Sequence, residues 1–337
     1  MTLSGLIDAG YQSNDYKGQK VNGVANNGSA TSTIQLSGTE DLGGGLKANF
    51  KLNSDFNPTT TKGNTGSGAT TAADNTAASW LNSEQRVGLS GNFGEVQAGR
   101  VNTNALDSWG VGSVFGTALG SGYGSNGNIY TRYSASSTGA TAATAMSAPT
   151  RFNGAVRYIS PAFNGFSGSL LVVPKGASDN VQAVTDFGLK YANGPLNVMY
   201  ANQEVKQYGA AATSFTTGTA AGLTTGTSNK LNILSANYVI GAGAVYGGYW
   251  TEKQNTATAV DARGYMLGGK YTMGATTLLA SFGRNDDRTT ANADKKIYGL
   301  GADYALSKRT SLYAVYGKAA QTAKSTTQTS FGVAHNF

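Results

Sequence analysis

The chain has 337 residues, no cysteine, one histidine, 47 glycines, 5 prolines and 18 tyrosines, and only 13% of it is charged, against roughly 25% in ordinary soluble domains. A transmembrane helix needs about 20 consecutive apolar residues; the apolar runs here are a handful long, which excludes a helical membrane protein, and the lack of thiols excludes disulfides and thiolate metal sites. The net charge of +7, from 25 Lys and Arg against 18 Asp and Glu, suits a nucleic-acid surface, an exterior facing lipopolysaccharide or an anion-favouring channel. No run of five or six basic residues occurs, so no nucleic-acid partner is expected.

Met1 leads directly into a strand pattern, Thr2-Leu3-Ser4-Gly5-Leu6-Ile7-Asp8, and a mature chain with an added initiator is expected. Period-two alternation then recurs along the whole sequence, while glycine interrupts nearly every helix candidate. Strands are predicted near 2–12, 31–41, 46–56, 83–92, 95–100, 152–160, 165–174 and 182–192 in the first half. In the second half they fall near 196–204, 229–239, 244–252, 262–272, 275–284, 295–306, 310–319 and 326–337. Tyr298, Leu300, Ala302, Tyr304 and Leu306, alternating with Ile297, Gly299, Gly301, Asp303 and Ala305, are the clearest case. In 275–284 and 310–319 both faces carry apolar side chains, so their facing is left open.

Sixteen segments of about ten residues fit transmembrane strands. Connections alternate between short turns, such as Leu42-Gly43-Gly44-Gly45, Phe93-Gly94, Asn193-Gly194-Pro195 and Met273-Gly274, and long polar stretches at 57–82, 101–150 and 205–228. Backbone groups in hydrocarbon must all find partners, so a spanning sheet must close on itself, and sixteen strands leave an aqueous channel. A wet interior accounts for Lys47, Lys51, Asp186 and Lys190 on strand faces. The expectation is a single domain, 1–337: an all-β, 16-stranded antiparallel transmembrane barrel.

Several segments are similar to the Gram-negative porins of β-proteobacteria: Thr39–Ala48, Arg86–Gly94, Gly99-Arg100, Arg157–Pro161 with Phe163–Gly168, Leu306–Thr310 and the terminal Gly332–Phe337. The resemblance runs from the first strand to the last. It implies a homotrimeric general-diffusion channel in the outer membrane with short periplasmic turns, long extracellular loops and a third loop, about 101–150, folded into the barrel. It also implies that Phe337 serves recognition by the barrel-assembly machinery. Outer-membrane lipids, lipopolysaccharide and small hydrophilic or anionic solutes are the remaining expected partners; no metal, cofactor or catalytic residue is expected.

A loop of about 50 residues exceeds ordinary connections and points to function. It holds Asp107 as its only acid and Arg132 as its only base. For the wall, the resemblance points to Arg100, Arg151 and Arg157. Arg157 alternates away from Val156 and Tyr158, toward the lumen. Strict alternation places Arg100 with Val96 and Ala98, so a lumen position requires a bulge or a strand end. Lys47, Lys51 and Arg86 extend a basic track by alternation. Thr33 and Ser37 stand where the family commonly has arginine, which weakens the arginine ladder and leaves a modest anion preference as the expectation. Trp109, Phe115, Tyr123, Tyr130 and Tyr133 on the loop open a second reading, a substrate-specific channel with a stacking track. Tyr158, Tyr191, Tyr200, Tyr238, Tyr271, Tyr298, Tyr304 and Phe337 read as interface girdles. His335 lies on an outward face, where a Ser–His dyad is not expected.

Overall fold

The structure, a computed structural model, describes residues 1–16, 19–59, 81–123, 151–174, 182–207, 228–255, 260–289, 294–321 and 324–337. The first part of the chain forms β1 (Thr2–Tyr16), β2 (Gln19–Ala25), β3 (Thr33–Gly43), β4 (Leu46–Asp55), β5 (Gln85–Gly91), β6 (Gly94–Asn102) and the helix α1 (Asn104–Gly112). Next come β7 (Arg151–Ile159), β8 (Phe166–Val173), β9 (Gln182–Asn193), β10 (Leu196–Gln207), β11 (Ser228–Ile240) and β12 (Gly243–Asn255). The last five are β13 (Val260–Met273), β14 (Thr276–Asp287), β15 (Lys295–Ala305), β16 (Thr310–Gln321) and β17 (Lys324–Asn336).

From β3 onward, each strand pairs antiparallel with the next. The ring shuts where β1 meets β17, from Leu6↔Asn336 to Tyr16↔Thr326. Seventeen segments occupy sixteen barrel positions, because β2 and β3 share one neighbour. Near the short turns β1 pairs with β3, Thr2↔Ser37 through Leu6↔Thr33; farther along it pairs with β2, Gly10↔Ala25 through Tyr16↔Gln19. The sequence pattern missed β2, whose Gln-Lys-Val-Asn-Gly-Val-Ala lacks a continuous apolar face and gains its pairing from the extended β1.

Alternation fixes facing. On β8 the outward Leu170 and Val172 are 42% and 37% exposed, whereas Leu171 and Val173 between them are 0% and 1%. Short turns rest on residues that tolerate a left-handed backbone: Gly43, Gly44 and Gly45 take φ of 85°, 60° and 82°, a region costly for any residue with a Cβ. No helix among the described residues is long and apolar enough to cross a membrane.

The interior carries its own apolar packing. Val101, Phe152, Ala155, Leu171, Val173, Val184 and Val205 form one buried cluster. Ala105, Trp109 and Tyr123 join Ala201, Leu231, Ile233, Trp250, Met266 and Ile297 in another. Phe115 and Leu119 join Tyr313, Val315 and Ala334 in a third. The third, against which Leu279 also packs, explains the strands left open by sequence. Leu312 faces outward at 42% exposure, while Tyr313 and Val315 point inward at 4% and 8%; they are apolar because the segment after β6 covers them.

Candidate functional site

The segment 103–123 runs inside the ring. It begins two residues later than the alternation implies, since Val101 and Asn102 still belong to β6. Thr103 caps α1, its hydroxyl accepting from the Leu106 amide at 3.0 Å, and Asp107 lies in the first turn, where a carboxylate complements the helix dipole. Asp186 on β9 accepts from the Asn104 amide at 2.7 Å, and the Asn104 side-chain amide donates to the Asp186 carbonyl at 2.8 Å. Farther along, the Ser108 hydroxyl donates to the Met199 carbonyl at 3.0 Å and the Asn237 amide to the Val111 carbonyl at 2.8 Å. The Ser281 hydroxyl donates to the Gly120 carbonyl at 2.9 Å, and the Leu119 amide reaches the Asn27 carbonyl at 3.4 Å. Residues 103–123 therefore lie along the inner wall from β9 round to β16, and they leave the lumen side of β3–β6 uncovered.

Trp109 is the hinge of this packing. It is fully buried, its ring centroid lies 5.8 Å from that of Trp250 and 5.3 Å from that of Tyr123, and its indole N–H donates to the Gly116 carbonyl at 2.8 Å. With Phe115 and Tyr123 also buried, these three rings pack the loop onto the wall and present no stacking track. Tyr130, Tyr133 and Arg132 lie outside the described residues.

Arg157 does point inward, yet it is covered: its side chain is 8% exposed against 34% for Asp107. The guanidinium donates to the Asn102 carbonyl at 3.1 Å, the Asn104 side-chain oxygen at 2.6 Å and Asp107 Oδ2 at 2.7 Å, and Ser169 donates to the same Asn104 oxygen. A buried guanidinium with several acceptors is a clamp on the loop's first turn. Asp186 likewise proves buried, at 0% exposure, where the sequence reading placed a water-exposed wall charge; its Oδ2 accepts from the α1 amide of Asn104.

At Arg100 the ladder carries an irregularity of the kind a lumen position requires: two residues of β7, 153 and 154, stand against this one residue of β6. The β6–β7 register shifts between Gly99 and Val101, Gly99 has φ of 134°, and a Cβ there would run into the Gln85 carbonyl oxygen. The Arg100 guanidinium donates to the Ser83 carbonyl at 3.0 Å and the Asn153 side chain at 2.7 Å. Gly99→Ala should thus cost about 1–3 kcal/mol from the backbone conformation alone, lowering the urea midpoint of unfolding; an unchanged midpoint would show that β6 does not hold residue 99 in this conformation.

The basic track is present but partnered. Lys51 bonds Glu84 at 2.9 Å, Arg86 lies 3.3 Å from Glu84 and 3.1 Å from Glu95, and Arg151 lies 3.8 Å from Asp55. Sequence reasoning passed over these acids. Glu84 shares parity with Arg86, a signal that alternation alone could have given; Glu95 lies across a turn, opposite Ser90, and needed the register. On the lumen face of β3–β7 and the start of the loop, six bases (Lys47, Lys51, Arg86, Arg100, Arg151, Arg157) meet five acids (Asp41, opposite Lys47 in register, Asp55, Glu84, Glu95 and Asp107). Lys47 and Arg100 form no ion pair among the described residues.

The outward tyrosines Tyr158, Tyr238, Tyr271, Tyr298 and Tyr304 are 41–54% exposed. Tyr200 is half-buried, donating to Asn232 at 2.9 Å. His335 faces outward, its Nδ1 2.8 Å from the Thr310 hydroxyl.

A family profile described as Gram-negative porin matches residues 1–324. The major outer membrane protein P.IB of Neisseria gonorrhoeae is 32% identical over 214 residues, covering 60% of this chain and 51% of that protein; the chain spans about half the length of the curated relatives it matches. A solved anion-selective porin from Comamonas acidovorans superposes with a TM-score of 0.78 at 24% identity, covering 100% of this chain and 99% of that one. OmpT of Vibrio cholerae in its trimer form gives 0.69 at 14% identity, covering 100% and 98%. With a closed barrel, an inward loop and this match over nearly its whole length, the chain belongs to the Gram-negative porin family and is an outer-membrane protein.

Proposed function

We propose that residues 1–337 act as one unit, a water-filled channel for passive diffusion of ions and small hydrophilic solutes, with a modest preference for anions. The observation that carries this reading is the lumen side of β3–β7, where six bases meet five acids and, among the described residues, Lys47 and Arg100 form no ion pair. A low-dielectric wall lined by an excess of one sign raises the local concentration of the opposite ion. The name of the Comamonas porin agrees with that sign. Lys51, Arg86 and Arg151 form the wall of this passage, Arg132 belongs to the same loop as Asp107, and Arg157 with Asp107 sets the position of the loop opposite. Family membership supports a channel rather than an enzyme.

Assembly as a homotrimer is part of the proposal, supported by the trimeric neighbour. Phe337 would display its side chain to the assembly machinery: it is 39% exposed while its backbone is held by Gly5.

The test is the reversal potential across a planar bilayer under a KCl gradient. Wild type should show mild anion selectivity, and Lys47→Gln with Arg100→Gln should bring the potential close to zero. Cation selectivity in wild type would overturn the reading, and an unchanged potential in the double variant would assign the field to other groups.

A further inference from the structure

Between the pairs Leu6↔Thr33 and Gly10↔Ala25, three residues of β1, 7–9, stand opposite seven of the chain, 26–32. The surplus cannot enter the ladder, so the segment leaves the wall, and its contacts turn it into the ring. Gly28 lies so close to β16 and β17 that a Cβ on it would fall 2.5 Å from the Tyr313 ring and 2.6 Å from the Ser330 hydroxyl. The Asn27 carbonyl is reached by the Leu119 amide at 3.4 Å. Asn26, Asn27 and Gly28 are buried, and Asn27 makes the bend with φ of 61°, a conformation that asparagine tolerates better than most residues.

Asp8, buried on the inner face of β1, holds this segment. Its Oδ2 accepts from the Ser29 and Ala30 amides, each at 2.7 Å, and its Oδ1 accepts from the Tyr313 hydroxyl at 2.5 Å. The Ser32 hydroxyl accepts from the Asp8 amide at 2.9 Å and donates to the Asp8 carbonyl at 3.1 Å. It thereby gives the interrupted edge of β1 the partners that hydrocarbon would deny it. The Gln12 side-chain amide donates to the Asn26 carbonyl at 2.9 Å. A carboxylate that takes two successive backbone amides and a phenol is a strong anchor, and here it fixes a piece of chain that the wall itself does not need.

We propose that residues 26–32 are a second constricting element of the channel, with Asp8 as its positioning residue. Residues 103–123 cover the inner wall only as far as β16. The segment 26–32 takes over there, lying on β16, β17 and β1 and meeting the loop at Leu119. The two linings are continuous, so solutes have one passage, along β3–β6, rather than a second one between Leu119 and the β17–β1 wall. This rests on the channel reading and names a further determinant of its size limit.

The experiment uses the folded full chain. It has no cysteine, so Ala30→Cys gives a unique thiol in the segment, and its reaction with a charged methanethiosulfonate reports whether the segment is held. Adding Asp8→Ala should speed that reaction at least about tenfold, since two amide bonds to a carboxylate and a phenol contact are lost together. Gly28→Ala should do the same from the other side, by pushing the segment off Tyr313 while β1 and its seam with β17 keep their residues; if Asp8→Ala yields no folded barrel, this variant decides. In planar bilayers both variants should raise single-channel conductance, and liposomes carrying either should admit neutral oligosaccharides that wild type excludes. Unchanged thiol reactivity in the folded variants would overturn the anchor. Faster reactivity with conductance and size limit as in wild type would show that the segment closes no passage, and would overturn the proposal too. Absence of conductance in wild type would sink the channel reading instead, while thiol reactivity, read in detergent, would still report on the anchor.

Discussion

Replacing Arg157 with alanine is expected to loosen the first turn of the constricting loop, raising single-channel conductance and current noise in planar bilayers. The guanidinium ties together the Asn102 carbonyl, the Asn104 side chain and Asp107. Removing it strands a carboxylate that faces no other base among the described residues. Breaking a buried, hydrogen-bonded charge pair costs several kcal/mol; with Asp107 34% exposed and able to rehydrate, roughly 2–3 kcal/mol is the better figure here. At about 1.4 kcal/mol per tenfold, the population with this turn detached rises roughly 30- to 150-fold. Arg157→Lys keeps the charge but cannot reach three acceptors with a planar fork, so it should fall between the two. Unchanged conductance in the alanine variant would mean that Asp186 and Trp109 hold the turn without it.

Trp109→Ala should have the larger effect on the loop itself. A fully buried tryptophan between Trp250 and Tyr123 loses about 3–5 kcal/mol on truncation, and the Gly116 carbonyl loses its indole donor. Hydrogen exchange of the α1 amides, 104–112, should accelerate by two to three orders of magnitude, while protection in the strands stays as in wild type. Uniform loss of protection throughout the barrel would instead show that loop and wall unfold together. Trp109→Phe should recover most of the protection, since the ring packing persists and only the hydrogen bond is lost.

These two variants concern side chains whose roles were only partly visible in the sequence. Strand positions were legible because half of each strand must face lipid, and that requirement leaves an alternation no loop can mimic. The exceptions were informative. In 310–319 both faces are apolar since the inner one, Tyr313 and Val315, packs against Phe115 and Leu119; period-two reasoning has no means of anticipating a loop that covers a wall from inside. Arg100 was legible only as a conditional: alternation pointed it outward unless the ladder broke there, and the break, with its extra residue on β7, is visible only in the register. Arg157 was placed on the correct face, but its burial depends on Asn104 and Asp107, about 50 residues away in sequence. Pairing of Lys51 and Arg86 with Glu84 turned a supposed basic track into a nearly neutral lattice. Little of the +7 charge therefore stands as unpaired base along β3–β7.

The seam between β1 and β17 governs the order in which the molecule can be made. Tyr313 donates to Asp8 at 2.5 Å across 305 residues, and Gly5 and Phe337 exchange backbone hydrogen bonds of 3.1 and 3.0 Å. Contacts this distant in sequence form slowly, because the entropy of bringing the ends together is lost before any pairing repays it. Until the 13 residues of β17 take their place, the nascent sheet exposes two long unpaired edges, each a template for aggregation. Ring closure is therefore the natural committing step of biogenesis, and the final strand is where a chaperone or insertion machine gains most by acting.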